Sequence, residues 1–129
     1  MSRTYSDPSY GSKQQKRFGI WSCGTRSAET VESISMMSPF EITDVSMKAI
    51  AAGSGSTCEW ILKAGTTVIS TLSFATNVTA DTVVNATATS YLADADTLVN
   101  LVSGTQIADP AQTFELAFEY KERYVESDT

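Results

Sequence analysis

Two glutamates four positions apart, Glu115 and Glu119, share one face of the alternating segment Phe114-Glu115-Leu116-Ala117-Phe118-Glu119-Tyr120. A carboxylate pair is the raw material of glycoside hydrolysis, but that chemistry needs a cleft and a raised pKa. The surrounding sequence suggests neither, and Glu at the wet positions of a terminal strand is ordinary solubilising charge that discourages edge-to-edge pairing. Asp94 and Asp96, with Asp109 nearby, could offer oxygen ligands to a calcium ion. They lack EF-hand-like spacing and read as a solvated turn. Trp60 and Tyr91, or Tyr5 and Tyr10, could form a sugar-stacking platform. Trp60 alternates with Cys58 and Leu62, which puts it in a core. No metal and no cofactor is expected.

The chain holds 2 cysteines and no histidine. Without histidine the commonest general base is missing, and so is the usual partner of a Ser or Cys nucleophile. Two cysteines alone do not make a zinc site of the usual kinds. No enzymatic activity is expected. Cys23 and Cys58 are expected as reduced thiols, Cys58 packing as a small hydrophobe in a strand. A disulfide is the alternative for a protein that ends up outside the cell. The N-terminal residues MSRTYSDPSYGSKQQKRF hold no apolar signal core, so synthesis and persistence in a cytoplasm are expected. No run of about 18 apolar residues is present, so no transmembrane helix is expected. The sequons Asn77-Val78-Thr79 and Asn85-Ala86-Thr87 read as chance matches in a Thr-rich chain.

Such side chains need elements to position them, and here those elements are strands. The 129 residues have the length of one domain, with 42% hydrophobic and 19% charged residues. Ser and Thr make up roughly a quarter, which suits strands and turns respectively. The stretch TCEWILKAGTTVISTLSF, residues 57 to 74, reads as a hairpin broken at Lys63-Ala64-Gly65-Thr66. Ala64 is uncomfortable at positive φ, so a turn longer than two residues is expected. Val45, Met47, Ala49 and Ala51 share one face of an imperfectly alternating segment. Residues 29 to 40 suit a short strand or one helical turn, ended by Pro39. Further strands are expected around Val83 to Leu92 and over Leu98 to Val102, with a loop from Gly104 to Pro110. Phe114 to Tyr120 alternates strictly, as an antiparallel strand with one wet face does. About six or seven strands, spaced by turns and without an amphipathic helix, predict an all-β antiparallel β-sandwich of jelly-roll type.

The net charge of −6 hides an asymmetry. Residues 1–28 carry Arg3, Lys13, Lys16, Arg17 and Arg26 against Asp7 alone, whereas the rest holds Lys48, Lys63, Lys121, Arg123 and all other acids. Residues 1–28 therefore read as a basic, extended or flexible N-terminal arm, and 29–129 as the sandwich domain. Its aromatics favour docking on protein over nucleic-acid packaging, the bases steering encounter and the apolar residues becoming anchors. The expected docking residues are Tyr10, Arg17, Phe18, Ile20 and Trp21.

The stretch Trp60-Ile61-Leu62-Lys63-Ala64-Gly65-Thr66-Thr67-Val68-Ile69-Ser70 resembles a hairpin common in small virion proteins of tailed bacteriophages. Ala93-Asp94-Ala95-Asp96-Thr97-Leu98, opening a hydrophobic strand, and the final aromatic-rich strand follow in the matching order, so the resemblance covers Glu41 to Tyr120. One departure is Ala64, where Asn is usual. The resemblance implies a capsid decoration or cement protein located in the virion and assembled in a host cytoplasm. It also implies a homo-trimer whose arms cross neighbouring subunits of the major capsid protein. The rival reading is a fibre or knob module that binds a receptor or carbohydrate through loops 53–56 and 104–110. A small coat protein whose arm contacts the genome is a third.

Overall fold

Apolar residues recur at every second position through most of this chain, and a period of two is that of a strand with one buried face. The computed structural model describes residues 3–5, 13–23, 29–53, 58–75, 78–106, 112–123 and 125–128. These form β1 (Arg3–Tyr5), β2 (Gln14–Arg17), β3 (Trp21–Ser22), β4 (Thr30–Ser35), β5 (Phe40–Ala49), β6 (Cys58–Ala64), β7 (Thr67–Phe74), β8 (Val83–Thr87), β9 (Leu98–Gln106), β10 (Thr113–Glu122) and β11 (Val125–Asp128).

Two antiparallel sheets face each other. One has the order β2-β10-β5-β8, with β3 also on β10, and the other has the order β4-β9-β6-β7. The pairings are nested: β6 with β7, β5 with β8, β4 with β9, and β2 and β3 with β10. A long antiparallel ribbon rolled up in this way is a jelly roll. β1 and β11 form a separate antiparallel pair in which Arg3 faces Asp128.

The inner faces supply the core. Phe114, Leu116, Phe118 and Tyr120 of β10 are all buried, opposite Cys58, Trp60, Leu62 and Ala64 of β6. The ring of Trp60 lies 4.7 Å from that of Phe114 across the two sheets. Burial of a large side chain of this kind contributes about 1.5–3 kcal/mol. The imperfect alternation of β5 has a local cause. A register shift opposite Glu119 and Tyr120 falls between Ile42 and Asp44, so Phe40 and Ile42 face inward on one side of it, and Val45, Met47 and Ala49 on the other. A bulge flips the side-chain phase without ending the strand.

The β6–β7 turn differs from expectation. Ala64 pairs directly with Thr67, leaving Gly65-Thr66 as a two-residue loop with Gly65 at φ +61°. Glycine at positive φ in the first position is the Gly-X arrangement of type II′ hairpins, so Ala64 stays in the strand and is not strained. A register shift at Leu62/Lys63 absorbs the mismatch. β8 stops at Thr87, short of the expected Leu92, and β9 runs on to Gln106 through the first residues of the expected loop. Asp81 and Asp96 take positive φ in turns, a conformation Asp tolerates.

The cysteines are a correction. Cys23 and Cys58 are joined in a disulfide with a Cα–Cα separation of 5.7 Å, and not held as free thiols. The reason is spatial: the chain following β3 packs against the start of β6, so two residues 35 positions apart meet in the core, both buried.

Candidate interaction surface

Of the segment expected to be an arm, residues 13–23 join the sandwich, whereas residues 3–5 form the separate pair with β11. Residues 14–17 run antiparallel to β10, with Arg17 opposite Ala117 and Gln14 opposite Tyr120. The N–H of Phe18 donates to the carbonyl of Leu116 at 3.0 Å, and that of Cys23 to the carbonyl of Gln112 at 2.8 Å. The polar composition of the segment conceals three anchors. Phe18 is buried with its ring 5.9 Å from that of Phe118, Cys23 is in the disulfide, and Trp21 packs against the core. The boundary at residue 28 therefore does not separate residues 13–23 from the sandwich. Residues 6–12 and 24–28, Tyr10 among them, lie outside the described residues.

The other expected docking residues are thus dispersed. Phe18 is a core residue and presents nothing to a partner. Trp21 is half-buried, its indole N–H donating to Glu32 Oε1 at 2.8 Å; the same oxygen accepts the backbone N–H of Gly19 at 2.9 Å. Ile20 is 60% exposed, and Arg17 is exposed with an ion pair to Glu115 at 3.3 Å. One short stretch therefore alternates between anchoring itself and presenting side chains outward.

Glu115 and Glu119, the candidate acid pair, are counterions of the basic strand beside them. Glu115 meets Arg17, and Glu119 lies 3.8 Å from Lys13, which also bonds Asp44 at 2.9 Å. The contact shifts both members of the last pair. The hydrogen bond with Asp44 raises the Lys13 pKa, and the same bond holds the Asp44 carboxyl below its ordinary value. The charge asymmetry of the sequence is thus the attraction between β2 and its neighbours.

These residues floor the outer face of the β2-β10-β5-β8 sheet. One recess of about 320 Å³ is lined by Gln15, Asp44, Ser46, Asn85 and Glu119 among others. A second, of about 220 Å³, adjoins it and is lined by Arg17, Lys48, Ile50, Val83, Glu115 and Ala117 among others. Cross-strand register makes this face: Arg17, Ala117, Ser46 and Asn85 form one row, flanked by Glu119–Asp44 on one side and Glu115–Lys48–Val83 on the other. Sequence reasoning missed Asp44, Ser46, Lys48 and Asn85 because they come from strands about 40 residues apart in the chain, aligned by pairing alone. Alternation in β5 marks Ser46 and Lys48 as outward, a signal that the bulge obscured.

The remaining candidates are accounted for singly. Trp60 is fully buried, its indole N–H donating to Cys58 Sγ at 3.0 Å, so it offers no stacking face. Tyr91 is exposed. Asp94 and Asp96 lie in a turn where the N–H of Asp96 donates to the Met36 carbonyl at 3.0 Å, and Asp109 lies outside the described residues. Among the described residues no group of three or more His, Cys, Asp or Glu is placed to hold a metal. No helix is long and apolar enough to cross a membrane among them.

No protein-family model and no curated protein matches the chain. Among solved structures the chain is similar to the carbohydrate-binding module CBM36 in complex with calcium and xylotriose, at 13% identity and a TM-score of 0.41 over 88% of this chain and 99% of that one. It is also similar to the Tobacco streak virus coat protein dimer, at 15% identity and a TM-score of 0.43 over 96% of this chain and 93% of that one. A second crystal form of that coat protein gives 11% and 0.41 over the same shares.

Proposed function

We propose that the chain is a non-catalytic structural protein of a tailed-phage particle, which decorates or cements the capsid by bridging neighbouring capsid subunits. The observation that carries this reading is the edge formed by β2 and the bend after it. Arg17 ends the strand and the 60%-exposed Ile20 follows in the link to β3, a stretch fastened from behind by Phe18 and by the Cys23–Cys58 disulfide. An exposed apolar anchor beside a cation, on a rigid support, suits docking because little side-chain and backbone entropy remains to be lost on binding. The resemblance of the Trp60–Ser70 hairpin to those of phage virion proteins names the partner class.

The mechanism is thermodynamic. A protein that binds the assembled shell and not its free subunits shifts the equilibrium toward the shell by mass action. Genome contact is disfavoured, because Lys13 and Arg17 already serve as counterions to Asp44 and Glu115. The fibre-tip reading loses Trp60, which is fully buried, and among the described residues keeps only the exposed Tyr91 as a stacking side chain.

The test is binding of the full, disulfide-bonded chain to particles assembled without it. Ile20→Asp and Arg17→Glu are each expected to weaken binding at least about tenfold, the loss of one anchor. Unchanged binding of both variants would reject the docking edge. Point substitution is the suitable probe, since deleting residues 2–22 would also remove β2 and β3 from the sheet.

A further inference from the structure

β2 is an edge strand, and part of its backbone faces away from the sheet. Its register on β10 runs from Gln14–Tyr120 to Arg17–Ala117, and the next residue, Phe18, donates its N–H to the Leu116 carbonyl at 3.0 Å. Antiparallel pairs exchange hydrogen bonds at every second residue. Gln14, Lys16 and Phe18 therefore bond β10. The N–H and C=O groups of Gln15 and Arg17 point outward, with no partner among the described residues. Gly19, next in that outward series, has its N–H taken by Glu32 Oε1 at 2.9 Å, which ends the open edge.

The side chains alternate with the same period. Gln14 and Lys16 stand opposite the inward-facing Tyr120 and Phe118, so they turn to the mouth of the sandwich. There a recess of about 250 Å³ is lined by Gln14, Lys16, Ser35, Met37, Ser38 and Tyr120 among others. Lys13 is paired with Asp44 and Arg17 with Glu115, but Lys16 has no carboxylate partner among the described residues. Glu122 also lines the recess, yet it lies four residues along β10 from the Phe118 opposite Lys16, about 13 Å at strand spacing. Tyr120 Oη donates to Gln14 Oε1 at 3.1 Å, which leaves the Gln14 amide nitrogen as a second donor beside Lys16.

We propose that the β2 edge takes up an extended, acidic segment of another protein as an added strand. The N–H and C=O groups of Gln15 and Arg17 bond its backbone, and its residue between those two pairs lies opposite Lys16. A carboxylate there meets the unpaired ammonium and the Gln14 amide at the recess. Main-chain bonds give such a contact its affinity, and the pocket for the alternate side chain gives it its preference. A second copy of β2 does not fit. Antiparallel pairing through Gln15 and Arg17 would set Lys16 of one chain against Lys16 of the other, and like charges directly opposite are destabilising. This names the ligand of the docking edge proposed above and rests on that reading for its source, an extended segment of a neighbouring virion protein.

The test is NMR of the full, oxidised, nitrogen-15-labelled chain titrated to millimolar concentration with a blocked TVEVT peptide, a glutamate between β-branched residues. Saturable shifts are expected at Gln15 and Arg17, with slowed solvent exchange of their amide protons, while Thr71 and Ser73 on the other sheet stay unmoved. The TVQVT peptide is expected to bind about threefold more weakly, the loss of one cross-strand ion pair. N-methylation of both valines removes the N–H groups that bond the Gln15 and Arg17 carbonyls and is expected to abolish binding. In Lys16→Glu the order reverses, so that TVKVT binds more tightly than TVEVT. No saturable binding, binding indifferent to N-methylation, or equal binding of TVEVT and TVQVT would each overturn the proposal. Shifts spread over Lys13, Lys48 and Lys63 in place of Gln15 and Arg17 would mark general charge attraction and overturn it too. If Lys16→Glu fails to fold, the peptides on the parent chain decide. Failure of the capsid reading is distinct: the chain is then missing from virions while TVEVT still binds, which upholds the edge and removes only its source. Particle binding that saturating TVEVT leaves intact overturns the inference and spares that reading.

Discussion

The indole N–H of Trp60 donates to the Sγ of Cys58 at 3.0 Å, beneath a disulfide that ties the end of β3 to the start of β6. The disulfide joins the N-terminal strands of one sheet to the other, and the Trp60 contact packs against it from within β6. The cross-link makes residues 13–23 a working part of the sandwich, and the energetic consequences can be measured.

Closing a loop of 35 positions with a cross-link removes denatured-state entropy worth about 3–4 kcal/mol. The Cys23→Ala/Cys58→Ala variant is therefore expected to lose about that much stability in urea unfolding against the oxidised protein. A loss below about 1 kcal/mol would mean that the cross-link constrains little.

Phe18 separates an integrated strand from a dispensable arm. Because it is buried against Phe118, Phe18→Ala is expected to cost about 3–5 kcal/mol. Ile20→Ala, two residues on and exposed, is expected to change stability by no more than about 0.5 kcal/mol. Equal effects in thermal melts of the two variants would contradict this placement.

Arg123 is buried and ion-paired with Glu41, whose other oxygen accepts from Ser90 Oγ at 3.1 Å. Removing one member leaves an uncompensated buried charge, so Glu41→Gln is expected to cost about 3 kcal/mol in urea unfolding. The double variant Glu41→Gln/Arg123→Met is expected to recover part of that loss, which a double-mutant cycle reads directly.

Asp44 and Lys13 set the pH response of the outer face. The Asp44 carboxyl titrates below its ordinary 3.8, held there by the hydrogen bond from Lys13. Its contribution to stability is therefore present above the unfolded value and lost as pH falls through the folded one. Lys13 titrates above its ordinary 10.5, so its contribution is present below that value and lost as pH rises through the folded one. Between these limits the pair contributes a constant amount, small because both side chains are about half exposed. In Lys13→Met, the Asp44 carboxyl carbon followed by NMR is expected to titrate higher than in the parent, and no movement would contradict the pairing.

How much could be read in advance depended on whether the relevant pattern was local. β6 and β10 alternate without interruption, so their inward residues, Trp60 and Leu62 or Phe114 to Tyr120, were legible from spacing alone. The jelly-roll reading followed from many such segments. β5 was harder, since its bulge shifts the phase and is visible only beside β10. The N-terminal segment read as an arm because its anchors, Phe18, Trp21 and Cys23, follow no period. Their partners Phe118 and Cys58 lie far along the chain, and no local pattern announces a pairing set by chain closure. The outer face was illegible for the same reason: Ala117, Ser46 and Asn85 become neighbours only through register.

The most direct test of the proposed role is quantitative mass spectrometry of purified virions from the infection in which the chain is made. The account predicts the chain in a fixed, near-stoichiometric ratio to the major capsid protein. Absence from the particle, or a few copies confined to a tail or fibre fraction, would contradict it.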